Sequence, residues 1–109
     1  DESIYRNGSI IFENLILIEL DQGRKAELID TLMQVIWPRC VEFFPSQENH
    51  GLYGVKLLKY TDDHELTMRE FLKAKGEDTF TEYYGYGYFV AFAAELTAGM
   101  QGGHDGFES

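Results

Sequence analysis

The chain has 109 residues, enough for one hydrophobic core and too few for two. Its composition, 44% hydrophobic and 15% aromatic, is that of a globular domain and not of a disordered segment. The net charge of −10, from 19 acids against 9 bases, argues against nucleic acid or anionic lipid as direct partners, since both are gripped by lysine and arginine.

Residues 1–8 read as a polar, flexible end. From Ser9 to Leu20 the run of Ile10, Ile11, Phe12, Leu15, Ile16 and their aliphatic neighbours reads as a strand buried on both faces, with a bend at Glu13-Asn14. Glu13, Asn14 and Glu19 make the same run too polar and too short to span a bilayer, and no signal peptide is apparent before it. Asp21-Gln22-Gly23 turns the chain, with Asp21 placed to cap the element after the turn.

Arg24 to Trp37 is an amphipathic helix: Leu28, Leu32, Val35 and Ile36 recur at helical steps, with Glu27, Asp30, Thr31 and Gln34 opposite. Pro38 ends or kinks it, because proline lacks the backbone donor and biases Trp37 out of helical geometry. Trp37 itself reads as core. Cys40, the only cysteine, excludes an internal disulfide and sits among apolar residues as a small buried hydrophobe. A cytoplasmic location is the expectation that goes with it.

Cys40 to Phe44 and Leu52 to Tyr60 read as two antiparallel strands joined by a long loop, Pro45 to Gly51. Thr67-Met68-Arg69-Glu70 reads as a capping box, with Leu66 and Phe71 as its hydrophobic staple; Lys73 and Lys75 close the short helix and Gly76 stops it. A second capping box, Thr79 to Glu82, opens a helix from Phe80 to about Met100, ended by Gly99 and Gly102-Gly103. There Tyr84, Tyr88, Phe92 and Leu96 form one ridge. Gly85 and Gly87 count against this helix, and extended Tyr83 to Phe92 is the alternative. Residues 102–109 are a second flexible end.

The resulting order is β-α-β-β-α-α: a single α+β domain over residues 1–109, a two-layer sandwich. Its mostly antiparallel sheet has three strands, or four if Tyr83 to Phe92 is extended, covered by helices.

Chemistry is sparse in this pattern. Asp62, Asp63, His64 and Glu65 lack the spacing of a calcium loop and read as a solvated turn before a helix. His50, His64 and His104 show no metal-ligand pairing. Cys40 and His50 could form a nucleophile–base pair, but apolar surroundings do not lower a thiol pKa. Gly85-Tyr86-Gly87 supplies only two glycines of a phosphate-binding fingerprint. No catalytic residue, metal or cofactor is assigned, and the protein reads as a non-enzyme.

The last third stands apart. Residues 76–109 hold six acids and no lysine or arginine, and the run Tyr83 to Phe89 places four tyrosines and a phenylalanine among glycines. Such a surface suits a basic protein partner: Tyr83, Tyr84, Tyr86 and Tyr88 would be anchors, because rings give rigid contact area. Glu77, Asp78, Glu82 and Glu95 would steer association, with Asp105 and Glu108 beyond them. The helical arrangement leaves Tyr83 and Tyr86 pointing away from the ridge. Two other readings remain open: a homo-oligomer that pairs through this helix, and a small-molecule binder or enzyme with an aromatic pocket.

Overall fold

The structure, a computed structural model, describes the backbone of residues 1–77 and 80–108 and the side chains of residues 1–77 and 80–99. Helix accounts for 87% of it, and among the described residues there is no strand or sheet, so the α+β sandwich is wrong. The elements are α1 (Glu2–Ile18), α2 (Gln22–Thr31), a π turn (Leu32–Ile36), α3 (Trp37–Phe43), α4 (Gln47–Tyr60), α5 (His64–Ala74), a second π turn (Phe80–Tyr84) and α6 (Gly85–Glu108). The first π turn joins α2 to α3 and the second leads directly into α6, giving five rods among the described residues.

The strand expected from Ser9 to Leu20 is instead most of α1. The aliphatic run concealed a helical stripe: Tyr5, Ser9, Phe12, Glu13 and Ile16 fall at three- and four-residue steps on the side that meets the bundle. Asp1 caps the helix by accepting a 2.9 Å bond from the Ser3 backbone N–H. Asp21 caps α2 as expected, accepting from the Arg24 N–H at 3.0 Å.

Pro38 does not end the helix that begins at Gln22. The π turn absorbs it: the Trp37 N–H reaches back five residues to the Leu32 carbonyl, and the rod continues as α3. Widening one turn relieves the crowding between a proline ring and the preceding carbonyls.

The hairpin of Cys40–Phe44 and Leu52–Tyr60 is likewise overturned; these segments are the end of α3 and most of α4. Only Phe44 to Ser46 connects them, and Ser46 caps α4 by accepting from the Asn49 N–H at 3.0 Å. Gly51 and Gly54, which weigh against a helix by intrinsic propensity, are needed here as holes for rings. A methyl group on Gly54 would lie 2.8 Å from Phe71 Cδ1, and one on Gly51 would lie 2.5 Å from Tyr84 Cζ.

Helix α5 begins one turn before the expected capping box. Asp63 is its cap, accepting from the Leu66 N–H at 3.1 Å, while Thr67 is buried within the helix and donates its hydroxyl to the Asp63 carbonyl at 2.8 Å. Glu70 turns to His50 and Lys73 instead of back to Thr67. Gly76, at φ +109°, is the expected stop. The final segment is helical, not extended, and continues past Gly99 and Gly102-Gly103 to Glu108. Thr79, the cap expected for it, lies outside the described residues.

Helix α4 is the shared wall of the bundle. On one side Tyr53 and Leu57 join Ile16 of α1 and Leu32, Met33, Trp37 and Cys40 of the α2–α3 rod in one core. On the other, Phe71, Ala74 and Tyr84 form a second core. Trp37 and Cys40 are core residues, as their sequence context implied.

Gly54→Ala should therefore destabilise the fold by about 1–3 kcal/mol through overpacking, despite a helix-propensity gain near 1 kcal/mol. Gly99→Ala, where nothing lies within 4 Å of the added methyl, should be neutral or stabilising. Urea denaturation of the two variants checks the opposite signs.

Candidate interaction surface

Of the four expected anchors, Tyr83 and Tyr86 point outward, Tyr88 is intermediate, and Tyr84 is buried in the bundle and offers no ring surface to a partner. Tyr84 is 3% exposed, its ring over Gly51 and 6.1 Å from that of Phe71. Tyr83 and Tyr86 are 60% and 77% exposed. Tyr88 is half-buried and stacks on Phe92, centroids 6.2 Å apart. The inward ridge is shorter than its sequence spacing suggested, because Phe92 and Leu96 are exposed.

Tyr83, Tyr86, Phe89 and Phe92 succeed one another at three-residue steps and wind a slanting aromatic stripe over the outside of α6. Phe89 was missed as a surface residue, although that three-residue spacing is visible in the sequence. What pins the stripe outward is Gly87, on the opposite side: a methyl there would lie 2.7 Å from Phe71 Cζ.

Beside Tyr83 an open depression of about 380 Å³ is lined by Glu48, Leu52, Glu77, Tyr83 and Tyr84. Glu77 is an expected member; Glu48 and Leu52 are not, because local sequence pattern alone places their segment in a loop and a strand. Glu82 is exposed on the π turn and Glu95 is half-buried on α6. Asp78 lies outside the described residues, as do the side chains of Asp105 and Glu108. Burial first, and then the Glu77 and Glu48 carboxylates, push the Tyr84 hydroxyl up to about 12 against the opposing charge of Arg6.

Several other ionisable groups have structural roles. His50 Nδ1 bonds Glu70 Oε1 at 2.7 Å, and Lys73 holds the other Glu70 oxygen at 2.9 Å. Burial, reinforced by Glu2, raises the Cys40 thiol, which disfavours the nucleophilic thiolate. Asp63 serves as a helix cap, and no group of three or more His, Cys, Asp or Glu side chains suited to a metal ion occurs among the described residues. No helix among the described residues is long and apolar enough to cross a membrane.

A polar seam ties α1 to its neighbours. Trp37 Nε1 donates to Ser9 Oγ at 2.9 Å, Ser9 donates to Glu13 at 3.0 Å, and Glu13 also receives Lys56 and the Tyr60 hydroxyl, each at 3.0 Å. Burial alone would raise the Glu13 pKa, but these bonds outweigh it and hold the carboxyl below its ordinary value. Further along, Arg6 reaches Asn49 Oδ1 at 2.8 Å and pairs with Glu2 and Glu48.

Comparison with family models, with curated proteins and with solved structures finds no match to this chain.

Tyr84 gives a pH signature. Its folded pKa lies above the ordinary 10, so its contribution is complete below pH 10 and is lost as pH rises toward about 12. Unfolding midpoints followed by circular dichroism should fall across that window. Tyr84→Phe should flatten part of the slope; a residue of it should persist, because burial and Glu13 raise Tyr60 as well. At neutral pH, Tyr84→Ala should cost about 3–5 kcal/mol and Tyr86→Ala under about 0.5 kcal/mol.

Proposed function

We propose that this protein is a small helical interaction module that binds a basic protein surface through α6 and the adjoining depression. The observation that carries the reading is the contiguity of exposed rings with carboxylates. Tyr83 belongs both to the aromatic stripe and to the rim of the depression that contains Glu48 and Glu77. A lysine or arginine entering there would share Glu48 with Arg6 and meet Glu77 and the face of a tyrosine beside it, while Tyr86 and Phe89 would cover apolar surface nearby. Residues 76–109 add no lysine or arginine to that approach, where Arg6 of α1 is the cation already paired with Glu48.

The reading makes no use of catalysis. It accounts for the exposure of large rings in a domain whose two cores are already filled, since rings left in water forgo the contribution that burial gives elsewhere.

Affinity purification with the tagged chain at low and high salt tests the proposal. Basic partners should be retained at low salt and released as salt rises, and the double substitution Tyr83→Ser with Tyr86→Ser should abolish retention while leaving the helical content intact. Retention that ignores both salt and the substitutions would overturn it.

A further inference from the structure

A second surface lies on α1 and is independent of the first. Turned away from the bundle are Ile4, Gly8, Ile11, Leu15 and Ile18, whose steps of four, three, four and three are those of a coiled-coil seam. The four side chains are 68%, 57%, 40% and 72% exposed, and Ile10 and Leu17 beside them are 57% and 72% exposed.

All the charges of α1 are on the other side: Glu2, Arg6 and Glu13 are tied to Asn49, Glu48 and Lys56. Between Glu2 and Ile18 the outer face therefore carries no charge on a chain of net −10, and Ser3, Asn7 and Asn14 supply its polarity. Its exposed apolar area is on the order of 600 Å², at the upper end of the largest patch of an ordinary monomer and somewhat below one partner's share of a standard interface.

We propose that this face pairs with the same face of a second copy of the chain. An uncharged seam offers nothing for a charged foreign partner to complement, whereas two copies meet there without placing like charges in contact. Gly8 leaves a gap opposite which an isoleucine of the second copy can seat, since nothing lies within 4 Å of its missing side chain. Asn7 and Asn14 can bond their counterparts at the edge. A lipid surface is disfavoured, because interfacial helices rely on lysine and arginine flanking the apolar face. Since α1 packs on the α2–α3 rod while α6 packs on α5 and α4, pairing through α1 leaves both α6 surfaces free, and the dimer is bivalent.

Sedimentation equilibrium over a concentration series, at low and high salt, tests the pairing. The wild-type chain should dimerise, and the dimer should tighten as salt screens repulsion between the two acidic protomers, opposite to the salt response expected of α6 with a basic partner. Ile11→Glu and Gly8→Glu should each weaken dimerisation by about 30-fold or more with helical content unchanged; in the second, the added Cβ meets nothing within 4 Å in the protomer. A chain that stays monomeric at every concentration and salt overturns the proposal and leaves the seam to another protein's helix. So does a dimer indifferent to both substitutions, or one lost only on Phe89→Ser in α6.

Discussion

The bundle depends on rings seated against missing side chains. Phe71 is fully buried between Gly54 of α4 and Gly87 of α6, and Tyr84 lies flat over Gly51. With any side chain at those positions, α4, α5 and α6 would have to move apart, and close-packed interiors do not absorb such shifts without cost. Because α4 also supplies Tyr53 and Leu57 to the first core, the spacing set by these contacts governs both halves of the molecule.

Attachment of α1 works by different means. Its inner side combines Ile16, Phe12 and Tyr5 with a polar seam in which Trp37, Ser9, Glu13, Lys56 and Tyr60 share bonds near 3 Å. Asn49, completely buried, joins the same interface by donating to Glu2 and to the Phe44 carbonyl while accepting from Arg6. No buried side-chain polar atom among the described residues is left without a partner. Directional bonds of this kind fix the rotation of a helix about its axis more strictly than aliphatic contact does. By drawing the charges of α1 inward, they also leave its outer face apolar.

Two surfaces of opposite character result from that geometry. Along α6 and the π turn before it, exposed rings adjoin a depression that holds Glu48 and Glu77, so in the proposed docking electrostatics would bear on the approach and on its response to salt. Between Glu2 and Ile18 the exposed isoleucines and leucines of α1 have no charge on their face, so apolar burial and shape would govern the proposed pairing there. The two helices rest on different sides of the bundle, and one surface can be engaged without covering the other.

The amino-acid sequence alone determined the rods that carry their own punctuation. The helix beginning after Asp21, the stop at Gly76, the helical course of Tyr83 to Phe92, the outward direction of Tyr83 and Tyr86, and the burial of Trp37 and Cys40 are all legible in periodicity, caps and composition. Only the tertiary structure decided the state of segments whose local preferences are weak or point the wrong way. Ser9 to Leu20 has the β-branched residues of a strand, and a few tenths of a kcal/mol per residue were outweighed by contacts from Ser9, Glu13 and Ile16 to Trp37, Lys56 and the core. Gly51 and Gly54 weaken a helix in isolation and become indispensable once Tyr84 and Phe71, distant in the chain, occupy the space they leave. Pro38 is tolerated because a π turn widens the backbone ahead of it. The depression beside Tyr83 was hidden for the same reason, since Glu48 joins Glu77 only after α4 has folded as a helix.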